Sequence, residues 1–190
     1  MYLHERNNIM KKSYAFTLIE LLIVVAIIAI LAAIAVPNFL EAQIRSKVSR
    51  SRADMRSITT ALESYCVDTN HYPSHDFAPA FARMNVLTTP IAYITQVPQD
   101  LFADVYKDPT TYLYHKMGYI YDEIAPLIEI GHWDVLTYIE AYKHGQRWLL
   151  VGRGPNQVYD ATFFLDPDID TRYDPTNGTV SRGDLERFGP

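Results

Sequence analysis

The feature that most constrains this chain is an apolar run close to its start. Lys11 and Lys12 precede the run, and its 21 residues from Phe16 to Val36 contain one charged side chain, Glu20. As an α-helix the run would be about 32 Å long, enough to cross the hydrocarbon core of a bilayer. A carboxylate in that layer is costly unless a positive group compensates it. The sequence therefore predicts a membrane-spanning helix with one acid that needs a partner.

The segment SYAFTLIE at 13–20, joined to the apolar run, resembles the N-terminal signal of type IV pilins and type II secretion pseudopilins. In this family a dedicated prepilin peptidase cuts before the Phe and methylates the new amine. The resemblance implies a leader of residues 1–15, cleavage between Ala15 and Phe16, and N-methylation of Phe16. The family usually carries Gly before the cut, where this chain has Ala15.

The resemblance also gives Glu20 and Pro37 roles in assembly. After removal of the leader, the amine of Phe16 is a positive charge in the same membrane layer as Glu20. A neighbouring subunit displaced along the helix axis could pair its Glu20 with that amine, which relieves the cost of both charges. The alternative is a carboxylate that reaches toward the lipid headgroups. Pro37 lacks a backbone N–H and stands where these helices carry a kinking proline, so 16–37 is assigned to the transmembrane and polymerisation helix.

Two simpler interpretations of this segment stay open. An ordinary secretory signal could be cut after the small-x-small site Ala33-Ile34-Ala35, which would release a soluble protein that begins at Val36. An uncleaved anchor is the second interpretation. The length of the apolar run and the position of Glu20 within it disfavour the secretory signal. Charge counting alone would place the bulk of the chain inside the cell, because more basic residues follow the span than precede it, and the opposite orientation rests on the resemblance to the pilin signal.

An apolar stripe continues beyond the membrane segment. Its apolar members recur at spacings of three and four residues: Ile44, Val48, Met55, Ile58, Leu62 and Tyr65. Ser51 occupies the one position of this pattern that is not apolar. This pattern predicts an amphipathic continuation of the helix over 38–68, with the stripe packed on the chain's own head. Basic residues from Arg45 to Arg56 lie mostly off the stripe. A solvated face is their default role, and acidic neighbours, nucleic acid or lipid are the alternatives.

Residues 69–190 are predicted to form one globular periplasmic head. About 120 residues suffice for a compact domain with its own core. Aromatic and branched residues predict strands at 112–115, 119–121, 147–151 and 161–164, and a helix over 132–143. The predicted fold class is α+β: a pilin-like lollipop, in which the long N-terminal α-helix packs on a small antiparallel β-sheet head.

Two C-terminal segments resemble the closing turn and loop of major pseudopilins, which often hold a structural calcium ion. The segments are WLLVGRGPN at 148–156 and YDPTNGTVSRGDL at 173–185. Oxygen-rich loops suit a hard cation with about six to eight oxygen ligands. The ligands implied by the resemblance are Asn156, Asp174, Asn177, Ser181 and Asp184. Solvated turn residues are the alternative, and Asn156 stands where the family usually has Asp.

Composition and motifs disfavour catalysis and nucleic-acid binding. The sequence lacks a zinc-protease helix motif, a P-loop, a nucleophile elbow and a dinucleotide fingerprint. The net charge is −5, and residues 69–190 carry sixteen Asp and Glu against nine Lys and Arg, so the head is acidic, which disfavours contact with phosphate backbones. We therefore expect a protein that is not an enzyme and does not bind nucleic acid.

The resemblance implies a structural subunit of a periplasmic pseudopilus that drives protein secretion through a type II secretion system. Such a subunit crosses the bacterial inner membrane once, keeps its head in the periplasm and polymerises with copies of itself. Its partners would be the prepilin peptidase, minor pseudopilins and the inner-membrane assembly platform. Two alternatives stay open: a type IV pilin of a surface filament for adhesion, motility or DNA uptake, and a membrane-tethered binding protein that never polymerises.

Overall fold

A computed structural model describes residues 16–74, 83–103, 118–131, 135–158, 173–176 and 183–190. The chain divides into two compact units, Met1–Phe39 and Leu40–Pro190. The predicted leader lies outside the described residues, and the predicted domain boundaries stay predictions.

The first unit contains the start of helix α1, Leu18–Thr69, which passes through Pro37 without interruption. A window of 18 residues in this helix has a mean hydropathy of 3.1, and none of the window is buried. Helix α1 is therefore long and apolar enough to cross a membrane. Leu18, Ile28 and Ile34 are each more than half exposed, and an apolar surface of this extent requires lipid or protein around it.

The second unit combines the rest of α1 with short helices and a small sheet. The described elements after α1 are a 3₁₀ helix at Arg83–Leu87, β1 at Ile120–Glu123, α2 at Ile124–Glu129, α3 at Val135–Lys143, β2 at Trp148–Gly152 and β3 at Leu185–Gly189. The three strands form an antiparallel sheet in the order β1-β2-β3. In its register, Leu150 of the central strand lies between Tyr121 and Arg187. The predicted α+β class, with a long helix and a small antiparallel sheet, is confirmed.

The central strand explains why the run WLLV is apolar at every position. Side chains alternate between the two faces of a strand. Trp148 and Leu150 belong to one core cluster, together with the buried stripe of α1. Leu149 and Val151 belong to a second cluster, which α2 and α3 cover. Both faces of β2 are therefore buried, and the sheet lies between α1 and the α2–α3 pair.

The predicted stripe of α1 is confirmed. Its buried members are Val48, Ser51, Met55, Ile58 and Leu62, and Ile44 and Tyr65 pack against the same cluster while half-buried. The predicted strand at 147–151 matches β2 to within one residue, and 119–121 overlaps β1. The predicted strands at 112–115 and 161–164 lie outside the described residues. The sequence analysis did not foresee α2 or β3.

Candidate functional site

The predicted assembly site contains a reciprocal hydrogen-bond pair at the start of α1. The backbone N–H of Thr17 donates to Oε2 of Glu20 at 2.9 Å, and the Thr17 hydroxyl donates to the same oxygen at 2.7 Å. In return, the N–H of Glu20 donates to Oγ1 of Thr17 at 3.3 Å. Because α1 begins at Leu18, Thr17 is its N-cap and Glu20 its third residue, which is the arrangement of a capping box.

This capping box gives Glu20 a partner within its own chain. The hydrogen bonds that the Glu20 carboxylate accepts from described residues all use Oε2, so Oε1 can accept one from a further donor. A positive charge near the helix start would meet both this carboxylate and the exposed side chain of Phe16, which is 77% accessible. The sequence analysis missed Thr17, although the pattern T-x-x-E before an apolar run is a recognised signal for a helix start.

The structure gives no contacts that test the other two residues predicted at the N-terminal site, Ala15 and Pro37. Ala15, on the leader side of the predicted cut, lies outside the described residues. Pro37 lies inside α1, two residues before the end of the first unit. Cleavage, methylation and the assembly roles of Glu20 and Pro37 therefore stay predictions.

Three of the predicted calcium ligands lie on segments that meet beside the sheet. The N–H of Gly154, two residues before Asn156, donates to Oδ1 of Asp184 at 3.3 Å. The N–H of Tyr173, next to Asp174, donates to the backbone oxygen of Asp184 at 3.0 Å. Asn177 and Ser181 lie outside the described residues. The structure thus brings together the backbones that carry Asn156, Asp174 and Asp184.

The side chains in this region fit a hard cation only in part. Oδ1 of Asp174 accepts hydrogen bonds from the N–H and the hydroxyl of Thr176, both at 2.8 Å, and these bonds lower the pKa of Asp174. Oδ1 of Asn156 accepts from the N–H of Val158 at 3.3 Å. Within the described ranges, no three His, Cys, Asp or Glu side chains cluster closely enough to hold a metal. A calcium ion would therefore need amide, hydroxyl or carbonyl oxygens as well as carboxylates.

Two buried carboxylates fix the turn that follows β2. Oδ2 of Asp100 accepts the N–H of Arg153 at 2.7 Å, and Oδ1 of Asp184 accepts the next N–H, that of Gly154. Asp100 also accepts the N–H of Phe102 at 2.9 Å, and burial raises the pKa of Asp100. The sequence analysis missed Asp100, because its hydrogen bond to Arg153 joins residues 53 positions apart.

A second polar network joins α1 to the sheet. Glu63 of α1 accepts hydrogen bonds from the indole N–H of Trp148 at 3.1 Å and from the hydroxyl of Tyr72 at 3.0 Å. The Tyr72 hydroxyl also lies 2.8 Å from the backbone oxygen of Pro190, next to β3. Burial, and the neighbouring Glu63 carboxylate, raise the pKa of Tyr72. This network is a structural clamp between the helix and two strands.

The fold and the apolar N-terminal segment agree with the pilin-like architecture that the sequence predicts. A family profile described as the prokaryotic N-terminal methylation motif matches residues 10–36. The chain is 49% identical over 67 residues to the type IV major pilin protein PilA of Myxococcus xanthus. This match covers 35% of this chain and 30% of that protein. It is 45% identical over 69 residues to the type IV wide pilus major component PilA4 of Thermus thermophilus, 36% of this chain and 53% of that protein.

A longer match joins the chain to a secretion protein. The chain is 28% identical over 102 residues to the type II secretion system core protein G of Escherichia coli. This match covers 50% of this chain and 70% of that protein. The two pilin matches above span only 30% and 53% of those relatives. No solved structure matches. Together these findings confirm the resemblance to the type IV pilin and type II secretion pseudopilin family and support a pilin-like filament subunit.

Proposed function

We propose that this chain is a structural subunit of a periplasmic pseudopilus that drives protein secretion through a type II secretion system. The single observation that carries the proposal is the exposed apolar half of α1, which bears the methylation motif and is joined to a separately packed domain. Such a helix has two suitable surroundings, a bilayer and a bundle of identical helices. A subunit that moves from the first to the second exchanges lipid contacts for protein contacts at little net cost in apolar exposure.

The proposed subunit begins as a single-pass protein of the bacterial inner membrane with its head in the periplasm. Prepilin peptidase cuts between Ala15 and Phe16 and methylates Phe16, and an inner-membrane platform and minor pseudopilins start assembly. Oε1 of Glu20, which accepts no hydrogen bond from a described residue, then accepts one from the Phe16 amine of a neighbouring copy, which compensates both charges in an apolar layer. The work is mechanical, and no side chain is assigned a catalytic role.

The extent of the match to core protein G favours a pseudopilus over a surface pilus. That match covers half of this chain, whereas the residues up to the end of α1 at Thr69 make up little more than a third. The similarity therefore reaches into the sequence beyond α1. The second candidate, a surface type IV pilin, is favoured by the higher identity of the shorter matches, 49% and 45%.

Deletion of the gene in its source bacterium separates these two functions. A pseudopilus subunit is expected to be needed for release of folded periplasmic proteins into the medium, and its loss leaves surface fibres in electron micrographs unchanged. A surface pilin gives the opposite pattern. If neither secretion nor fibres change, the remaining candidate is a tethered binding protein, and crosslinking between α1 helices in cells would then find none.

Mass spectrometry of the protein from membranes tests the processing step. The expected mass is that of a chain that begins with N-methylated Phe16. A chain that begins with Val36 would identify a secretory signal, and one that begins with Met1 would identify an uncleaved anchor. Either result would contradict the proposed cleavage.

We also propose that the segments around Asn156, Asp174 and Asp184 hold a structural calcium ion. The supporting observation is that Asp184 is buried at their meeting point, with 1% of its surface exposed. The melting temperature of the full chain in detergent is expected to rise when calcium replaces EDTA. Asp174→Asn should reduce this rise, whereas Glu129→Gln, an exposed acid on α2, should not. A melting temperature that is independent of calcium would contradict the site.

A further inference from the structure

Helices α2 and α3 form a surface groove that the proposed function does not use. Each helix packs two residues in the second core cluster, against the sheet: Ile124, Leu127, Tyr138 and Ala141. Neighbouring positions line the groove, with three residues from each helix at the spacing i, i+3 and i+4: Ala125, Ile128, Glu129, Ile139, Tyr142 and Lys143. The groove has a volume of about 340 Å³, which is room for apolar side chains of a partner.

The middle of the groove is apolar and open to solvent. Ile128 and Ile139 are half-buried, and Tyr142 keeps 42% of its surface exposed. The guanidinium carbon of Arg147 lies 4.3 Å from the centre of the Tyr142 ring and holds that ring in place. Ile130, directly after α2, is 62% exposed. Exposed apolar side chains that share one groove, rather than being scattered singly, indicate a contact site for a partner.

Opposite charges stand at the two ends of the groove. Glu129 is the last residue of α2, beside the link 130–134, and it forms no ion pair with a described residue. Lys143 is the last residue of α3, about 12 Å along the helix axis from Val135. Lys143 pairs with Glu140 at 3.1 Å, but its side chain keeps 64% of its surface exposed. A complementary partner therefore carries a basic residue at one end of the contact and an acidic residue about two helical turns away.

A helix fits this groove better than an extended peptide does. The backbone groups of α2 and α3 are used within those helices, and four of the six lining side chains are aliphatic or aromatic. An extended peptide would press N–H and C=O groups without partners against these side chains, which is unfavourable. A helix forms its own backbone hydrogen bonds and presents apolar side chains one turn apart.

We propose that the α2–α3 groove binds an amphipathic helix of a protein that is not a subunit of the filament. The bound helix places apolar residues, spaced three and four apart, on Ile128, Ile139 and Tyr142. A basic residue of this helix lies beside Glu129, and an acidic residue lies beside Lys143. The apolar residues supply most of the affinity, while the charged residues at the rim set orientation and the rate of association.

The place of the groove in the fold favours another protein over a second copy of this chain. The α2–α3 pair covers one face of the sheet, and the buried stripe of α1 covers the opposite face. Packing of α1 helices against one another therefore leaves the groove uncovered. This step rests on the proposed function, whereas the groove and its charges do not.

Photo-crosslinking in cells tests which molecule occupies the groove. Replacement of Tyr142 by p-benzoyl-phenylalanine in the full chain exchanges one exposed aromatic side chain for another, and the same replacement of Ile91, which is 58% exposed outside the groove, is the control. We expect an adduct at position 142 with a peptide of another protein, identified by mass spectrometry, whose apolar residues are spaced three and four apart between a basic and an acidic residue. An adduct with a second copy, a lipid or another small molecule would overturn the proposal. So would the absence of an adduct, or the same adduct at position 91.

Matched substitutions test the apolar contact. Ile139→Asn places an amide in the groove, and Ile91→Asn makes the same chemical change at the control position. With p-benzoyl-phenylalanine kept at position 142, we expect Ile139→Asn to lower the adduct yield about tenfold, because the bound helix would bury an amide without a partner. Ile91→Asn should leave the yield unchanged. Equal yields from the two variants, at equal melting temperatures, would contradict the proposed contact.

A charge reversal tests the same contact without changing the core. Glu129 is exposed and belongs to neither core cluster, so Glu129→Lys decides the question even if Ile139→Asn lowers the melting temperature. It places a base opposite the basic residue of the bound helix, and we expect about a threefold lower adduct yield at position 142. Glu41→Lys, the same change on α1, should keep the wild-type yield. A yield that Glu129→Lys does not alter would overturn the proposed orientation of the helix.

These outcomes separate the groove from the proposed function. If the wild-type protein forms no filament in cells, the proposed function fails, while an adduct of position 142 with another protein's helix would still identify the groove as a docking site. If filaments form and position 142 gives no such adduct, only the docking site fails.

Discussion

At the scale of single residues, the start of α1 shows how one acid can serve two states. Glu20 caps its own helix through Oε2, while Oε1 accepts no hydrogen bond from the described residues and can accept one from another subunit. Thr17 supplies both the N–H and the hydroxyl of the capping box, so the separate subunit already has a partner for its membrane-embedded acid. We infer that Thr17 lowers the cost of keeping Glu20 in the membrane before assembly.

Substitution of Thr17 tests the capping box. Thr17→Val removes the hydroxyl and keeps the shape of the side chain, and loss of an N-cap hydrogen bond costs about 1 kcal/mol. We expect amide hydrogen exchange at Leu18 to Leu21 to accelerate about fivefold in detergent micelles, because that free energy controls fraying of the first turn. Thr17→Ser retains the hydroxyl and should exchange like the wild type. Unchanged exchange in the valine variant would show that the capping box adds no stability.

Ser51 is a second residue whose environment leads to a prediction. It occupies the one gap in the apolar stripe, is fully buried, and its hydroxyl has no hydrogen-bond partner among the described residues. An unsatisfied buried polar group is destabilising, so Ser51→Ala should raise the free energy of unfolding by up to about 1 kcal/mol in urea titrations. Ser57→Ala, at an exposed position of the same helix, is the control and should change it little. A clear loss of stability in Ser51→Ala would mean that the hydroxyl has a partner.

At the scale of elements, the spacing of apolar residues correctly predicted the buried side of α1 and the strand β2. The stripe of α1 and the apolar run of β2 were visible because their burial repeats along the chain. Strand β3 was not foreseen, because it pairs with one strand among the described residues and carries Glu186 and Arg187 on its less buried positions. Asp100 was missed for a similar reason, since its role depends on a distant backbone N–H. Long-range pairing leaves little trace in a short window of sequence.

The link between Asp100 and the turn after β2 leads to a prediction about pH. Burial raises the pKa of Asp100 above its unfolded value near 3.8. As the pH rises above that value, Asp100 loses its proton in the unfolded chain before it does so in the folded chain. The contribution of Asp100 to the free energy of unfolding therefore falls with rising pH, and it stops falling above the pKa of the folded chain. Asp174 and Glu140, whose pKa values are lowered, change stability in the opposite direction.

Asp100→Asn isolates this contribution. Urea titrations at a series of pH values should give the free energy of unfolding of both proteins. We expect the difference, wild type minus variant, to fall as the pH rises from about 3 to 6. The variant loses one of two acceptor bonds and is expected to be less stable at every pH by about 1–3 kcal/mol. Only the slope of the difference tests the raised pKa. A difference that grows with pH would show that folding lowers the pKa of Asp100.

At the scale of the whole molecule, the two units have different requirements. No described residue from Phe16 to Phe39 is buried, whereas both core clusters use residues from Val48 onward. The first unit therefore needs a bilayer or other copies around it, and the second contains its own core. This division agrees with a subunit that keeps its folded domain while its surroundings change from membrane to filament.

A shortened chain of residues 40–190 tests this division. Because the described residues that are removed, 16–39, contribute no buried side chain, we expect it to unfold cooperatively in urea, to retain near-ultraviolet circular dichroism and to be monomeric in size-exclusion chromatography. A chain of residues 53–190 is the matched comparison. It lacks Val48 and Ser51 of the stripe, and a buried aliphatic side chain contributes about 1.5–3 kcal/mol, so its transition should move to lower urea concentration. Non-cooperative unfolding of the longer piece would show that the folded domain depends on the apolar helix, and a subunit of that kind could not keep its structure while it leaves the membrane.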